Sequence, residues 1–294
     1  MAIKNTLKTN DFIKSAYEKF LSLLTLISPT LNTKIYYFIS TGKRIDLKNP
    51  KEFNEKILWL KLNSYTNNKT IKICADKYAM RSYIIDKGYE NILNDIIAVY
   101  DSVEEIDWDN LPDKFAMKLN FGCGFNIICK NKKDLDIDQC KKRLNSWIKS
   151  KYYLPHSEMQ YKNVPIKILV EKFIETSNGD IPEDYKFYCF NGDPKIVLVC
   201  NERDKKLKYS FYDMNWEYVH VRDGQIDGQF DRPTCLEEMV SICKDISREF
   251  PFVRIDFYVS NGKPVLGELT FTPAGGTGKY TEDAKKTMGE WIKI

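Results

Sequence analysis

VRIDFYVSNGKPVLGELTFTPAGG, residues 253–276, decides how this chain is read. Two apolar stretches flank Ser260-Asn261-Gly262-Lys263, which predicts a β-hairpin. Arg254, Asp256 and Glu268 interrupt the apolar pattern where a plain core hairpin carries Val or Thr. An ionised side chain among apolar neighbours is expensive unless a partner or a metal meets it. Two carboxylates and an arginine on one hairpin therefore point to a cation and an anionic ligand held between them, or else to a salt-bridged, exposed sheet face. Alternation along a strand puts Arg254 and Asp256 on one side, and Glu268 and Thr270 on one side. A two-residue turn at Asn261-Gly262 would pair Asp256 with Gly267 and turn Glu268 away. For the carboxylates to converge, the turn must hold an odd number of residues or a bulge must lie in a strand, and that shift is the expectation.

Outward from the hairpin, composition narrows the class. The 294 residues suffice for one large domain or two, and 45 basic residues scattered among 41 acidic ones give no field that would attract nucleic acid. Eight cysteines form no CxxC pair, and His156 and His220 are the only histidines. That pattern argues against a structural zinc site and a disulfide scaffold and fits reduced thiols in a cytoplasm. No apolar run reaches the roughly 18 residues of a membrane span. Phe20–Ile27, FLSLLTLI, reads as a helix packing on the body; with Lys4, Lys8, Lys14 and Lys19 around it, a weak peripheral role at the inner membrane face stays open.

Periodicity predicts helices over 11–27 (stopped by Pro29), 53–62, 71–87, 137–150, 236–249 and 282–292. Strands are expected over 95–100, 115–119, 127–129, 168–174, 185–191, 196–201 and 207–212, the last four separated by turn signals, of which Asn191-Gly192-Asp193-Pro194 reads as a hairpin loop. The class is α+β with mostly antiparallel sheets.

Several motifs carry less than they promise. Gly275-Gly276-Thr277-Gly278-Lys279 fails as a Walker A loop, because Pro273 takes the first glycine position and Tyr280 follows the lysine. Asp134-Leu135-Asp136-Ile137-Asp138 has the form of a metal-binding DxD, but it opens a helix, where Asp is a common cap. Lys118 leads into Gly122-Cys123-Gly124, a plausible phosphate clamp of one ammonium group and several backbone N–H groups.

The order of these parts is more specific than any one of them. KEFNEKILWLKL, DKYAMR, MKLNFGCGFN, VEKFI, DYKFYCFNG and GELTFTPAGG follow one another over residues 50–294. The series resembles the ATP-grasp superfamily, most closely its TupA-like branch found among polysaccharide and teichuronopeptide genes. The resemblance implies two α+β lobes gripping ATP after an N-terminal helical segment. The expected divisions are 1–50 for that segment, 51–110 for a helical region, 111–170 for the small lobe with a glycine-rich lid, and 171–294 for the metal-bearing lobe.

By position, the resemblance implies that Lys118 contacts the α/β-phosphates while Gly122, Cys123, Gly124 and Asn126 fold over them. Lys77 or Arg81 adds a basic contact. Glu171, Lys172, Phe173 and Ile174 match the hinge strand that reads adenine, and Lys186 approaches the phosphates. Asp256 and Glu268 match the carboxylates that carry two Mg²⁺, with Thr270 where most relatives have a metal-binding Asn, and Arg254 matches the cation on the transferred phosphoryl group. Cys123 stands where a Ser is expected. The activity implied is ATP-dependent ligation of a carboxylate to an amine through an acyl phosphate, joining an amino acid to a uronic acid or to a peptide on it in bacterial cell-surface polysaccharide. The alternatives are a polysaccharide glycosyltransferase using Asp134–Asp138 and a non-catalytic nucleotide-binding protein. Arg222, Arg232, Lys205 and Lys208 are candidates to receive an acidic sugar, set against ordinary solvated charge.

Overall fold

The computed structural model describes residues 11–175, 182–201, 207–223, 225 and 230–294. Pro29 does not end the N-terminal helical pattern; it begins a second helix. After α1 (Asp11–Ile27), Ser28 is extended and its hydroxyl accepts from the Leu31 N–H at 3.2 Å. Pro29 then takes the first helical position of α2 (Pro29–Thr41), where a missing N–H costs nothing. The hairpin of α1 and α2 is pinned to the body by Leu21 and Thr25, both buried, while Phe20, Leu23, Leu26 and Ile27 stay exposed.

The helix expected over 71–87 is also divided, into α4 (Lys69–Ala75) and α5 (Met80–Asp86), following α3 (Phe53–Leu62). Asp76 makes the break: its carboxylate accepts from the N–H groups of Tyr78 at 2.8 Å and Ala79 at 3.1 Å. Local side-chain capping of this kind competes with a continuous helix.

Two antiparallel sheets follow. β1 (Ile96–Tyr100), β2 (Phe115–Leu119), β3 (Asn126–Cys129) and β4 (Ile168–Lys172) form one in the order β1-β4-β2-β3. α6 (Ile137–Lys149) buries Cys140 and Leu144 in its core with Phe115, Met117 and Val170. The other sheet runs β7-β6-β5-β8-β9, built from β5 (Asp184–Phe190), β6 (Asp193–Asn201), β7 (Lys208–Asp213), β8 (Phe252–Ser260) and β9 (Lys263–Thr270). α7 (Leu236–Ser247) and α8 (Glu282–Trp291) complete it. The architecture is α+β with antiparallel sheets, as expected. No helix among the described residues is long and apolar enough to cross a membrane.

The core of the larger sheet also takes Phe53 and Ile57 of α3 and Ile71 of α4, so this helical region packs on the C-terminal half of the chain. Phe53 is 1% exposed and meets Phe252 and Tyr280 edge-on, with ring centroids 5.1 and 5.3 Å apart. Truncating such a side chain loses its transfer energy and leaves a cavity. Phe53→Ala is expected to lower stability by about 3–5 kcal/mol, read from the denaturant midpoint; a change below about 1 kcal/mol would show that α3 is not part of that core.

Candidate active site

The hairpin meets its requirement by a bulge, not by its turn. Asn261 (φ 51) and Gly262 (φ 73) form a two-residue turn between Ser260 and Lys263. Pairing runs Phe257 with Leu266 but Asp256 with Glu268, leaving Gly267 as the extra residue in β9. A side chain at Gly267 would press on the Tyr258 ring at 3.1 Å and the Asp256 carbonyl oxygen at 3.2 Å, so glycine is what lets the strands approach there. Beyond the bulge Arg254 pairs with Thr270, and both carboxylates face one way.

What they face is a closed ionic network. Arg254 Nε and Nη2 donate to the two oxygens of Asp256 at 2.6 Å each, and Nη2 also reaches Glu268 Oε1 at 3.3 Å. Lys186 Nζ from β5 lies 2.7 Å from Asp256 Oδ2 and 3.3 Å from Asp184 Oδ1. Lys77 Nζ lies 3.3 Å from Glu268 Oε2. Asp184, Asp256 and Glu268 thus stand against Lys77, Lys186 and Arg254, three charges of each sign. Burial alone would push the Glu268 carboxyl up, but Lys77, Arg254 and Lys186 outweigh it and hold the group well below the usual range. Burial likewise opposes the charge on Lys186, and Asp256 overcomes it, so this lysine stays protonated.

Among the described residues no cluster of three or more His, Cys, Asp or Glu side chains is placed to hold a metal. Asp256, Glu268 and the Thr270 hydroxyl, which donates to Glu268 Oε1 at 3.0 Å, are therefore not a closed cage. Two carboxylates with open positions are the donor set of Mg²⁺, which completes its shell with water and phosphate oxygens, so the residues fit that ion.

The network forms the floor of a cleft of about 490 Å³, in the size range of small-molecule sites. Lys118, Gly122, Cys123, Gly124 and Asn126 border it from the smaller sheet. At Gly122 the backbone is left-handed (φ 74), and a side chain would press on the rings of Phe125 and Tyr152 at 3.1 Å. Of the two basic residues after the break at Asp76, Lys77 borders the cleft and its Nζ donates to the Gly122 carbonyl at 2.7 Å, whereas Arg81 donates to the Asn94 carbonyl at 2.9 Å. Lys118 Nζ is held 2.8 Å from Glu171 Oε2. Lys172 is exposed against Asp95, and Glu171, Lys172, Phe173 and Ile174 border neither this cleft nor the hollow beside it. Asp136 is a helix cap, its carboxylate accepting from the Gln139 N–H at 2.9 Å, which removes the support for the glycosyltransferase alternative.

Arg222, one of the candidates to receive an acidic sugar, is half-buried: it lies among the rings of Tyr209, Phe211 and Tyr280, 5.1–6.0 Å from their centroids, at the edge of the cleft. Arg232, by contrast, pairs with Glu237 at the surface, Lys208 is exposed, and Lys205 falls outside the described residues. Behind Arg254 and Glu268 a second hollow of about 220 Å³ opens, lined by Tyr36, His156 and Glu158. Neither Glu158 nor Tyr36 carried a sequence signal, and His156 stands out only as one of two histidines.

The family model described as TupA-like ATPgrasp matches residues 55–293. No curated protein matches the chain. Among solved structures, D-alanine–D-alanine ligase from Bacillus anthracis in complex with ATP is 16% identical, with a TM-score of 0.41 over 68% of this chain and 55% of that one. The ADP complex of PurK, N5-carboxyaminoimidazole ribonucleotide synthetase, is 11% identical, with a TM-score of 0.45 over 74% and 50%. An L-amino acid ligase from Bacillus licheniformis is 12% identical, with a TM-score of 0.41 over 70% and 45%. The chain spans about half the length of each of these three.

The second hollow makes acid stability testable. Burial and then the Lys61 charge push the His156 pKa from 6.5 down to about 4, so this histidine is neutral in the fold. As pH falls the unfolded chain protonates His156 first, and the folded state loses stability from pH 6.5 down to about 4. The loss is on the order of 3 kcal/mol. His156→Asn should flatten the fall of the urea midpoint across that window; an unchanged slope would place the acid sensitivity elsewhere.

Proposed function

The chain belongs to the TupA-like ATP-grasp family, and from that premise we propose that it is an ATP-dependent carboxylate–amine ligase. A carboxylate attacks the γ-phosphate of ATP, giving ADP and an acyl phosphate; an amine then displaces phosphate and an amide forms. The observation that carries this reading is the facing of Asp256 and Glu268 across the Gly267 bulge, amid Arg254, Lys186 and Lys77 on the cleft floor. Phosphoryl transfer needs positioning and charge neutralisation more than covalent help from the protein, and this group of side chains is suited to both.

Mg²⁺ bound at Asp256 and Glu268, with Thr270 beside them, would supply charge neutralisation at the phosphates. The cations now paired with those carboxylates are then free to turn to the substrate: Arg254 to the transferred group, Lys186 and Lys77 to phosphate oxygens. Lys118 and the backbone N–H groups of Gly122, Cys123 and Gly124, with Asn126, close over the phosphates and keep water from the acyl phosphate. The 111–170 and 171–294 regions would serve as lid-bearing and metal-bearing lobes. The finer assignment is an amino acid joined to a uronic acid, or to a peptide on it, in cell-surface polysaccharide made in the cytoplasm. Its support is the family branch, together with Arg222, a cation at the cleft edge suited to an acidic sugar.

ADP release measured against a matrix of amino acids and uronic-acid sugars tests the reading. Release should require one member of each set and Mg²⁺, and Asp256→Asn or Glu268→Gln should lower it by about 100-fold or more. Release independent of both added substrates, or full activity in both variants, would sink it.

A further inference from the structure

The small hollow and the large cleft share Lys77, Gly122, Cys123, Arg254, Glu268 and Ala274, so they meet at the ionic network from opposite sides. Their electrostatics differ. Outside the residues they share, the cleft carries Lys118, Lys186 and Arg222 against Asp184 and Asp256, whereas the hollow carries one carboxylate, Glu158, which is 4% exposed. Glu158 accepts a hydrogen bond from the Thr272 hydroxyl and makes no ion pair among the described residues. The buried Lys61, whose charge is felt at Glu158, donates to the His156 carbonyl at 2.8 Å and makes no ion pair with that carboxylate among the described residues. A buried carboxylate without a cation partner is costly in the fold, and a ligand bringing a positive group would relieve that cost.

The opposite wall comes from the N-terminal hairpin, which lies outside residues 55–293. Tyr36 of α2 stacks on His156 with ring centroids 4.6 Å apart. Thr25 donates to the Leu154 carbonyl at 2.6 Å and lies 2.8 Å from the Ser157 hydroxyl, and Asn32 donates to the Pro155 carbonyl at 3.3 Å. The hairpin is thereby fixed to the same segment that carries Glu158. At about 220 Å³ the hollow is smaller than a typical drug-sized pocket of roughly 300–1,000 Å³, and suits a molecule the size of a free amino acid.

We propose that this hollow is the pocket of the amine substrate, with Glu158 receiving its ammonium group and Tyr36 of the N-terminal hairpin setting the size of amine that fits. The proposal rests on the ligase reading for its chemistry. Glu158 takes one proton from the ammonium group; the freed nitrogen lone pair attacks the acyl carbon; the carbon–oxygen bond to phosphate breaks and its electron pair leaves with the phosphate. The departing phosphate takes the second proton, and the amide is neutral. Burial, which raises the Glu158 pKa against the pull of Thr272 and Lys61, makes it a better proton acceptor than a surface carboxylate.

The test is calorimetric titration of each common amino acid into the full chain loaded with Mg·ADP, alongside the ADP-release assay. At least one amino acid should bind. Glu158→Gln and Tyr36→Trp should each weaken that binding about tenfold or more, with Mg·ADP affinity unchanged and Glu158→Asp retaining more binding than Glu158→Gln. The inference is overturned if no amino acid binds, or if Glu158→Gln and Tyr36→Trp bind as the wild type does. If binding follows the expected pattern but no substrate pair releases ADP, the ligase reading fails and the pocket stands. If ADP is released with an amino-acid KM that neither variant changes, the pocket fails and the ligase reading stands.

Discussion

One extra residue, Gly267, governs the chemistry-bearing face of the larger sheet. Without it β9 would continue in register, and Glu268 would point away from Asp256. With it, a bidentate arginine can span Asp256 and reach Glu268, and two lysines from other elements can close the charge balance. Each of these groups would be prohibitively placed by itself, because an unpaired charge away from water costs several kcal/mol. Together they are neutral in sum.

That neutrality sets how the rest of the site is arranged. Lys77 reaches Glu268 only because Asp76 interrupts the helix before it, and the same lysine holds the glycine loop through the Gly122 carbonyl. The loop belongs to the smaller sheet and Glu268 to the larger one, so a single ammonium group bridges the two. Lys186 does the corresponding work within the larger sheet, where β5 lies beside β8 and its side chain falls directly over Asp256.

The hairpin, its charged residues and the need for a register shift were legible in the sequence, because period-two alternation makes any misplaced charge conspicuous. The place of the shift was not: a bulge at Gly267 and an odd turn at Asn261-Gly262 leave the same pattern of residue types. The break at Asp76 was hidden because Ile71–Lys87 keeps a helical period across it, and only the Asx-type hydrogen bonds to Tyr78 and Ala79 reveal the stop. Pro29 is ambiguous in sequence for a related reason, since proline both ends one helix and starts the next, and Ser28 as the cap decides between them. Tyr36 and Glu158 are 122 residues apart and meet only through the fold, so no local pattern could join them.

The ionic network is weak support for stability and strong support for exchange. Replacing buried ion pairs by apolar groups is often neutral or favourable, so a self-neutral set of six charges is not explained by folding alone. In the proposed function, Asp256 and Glu268 would hold the divalent cation, and Arg254, Lys186 and Lys77 would exchange their carboxylate partners for phosphate oxygens. The order of parts across the proposed site then follows: cations facing the larger cleft meet the anionic reactants, and the lone carboxylate behind them faces the nucleophile.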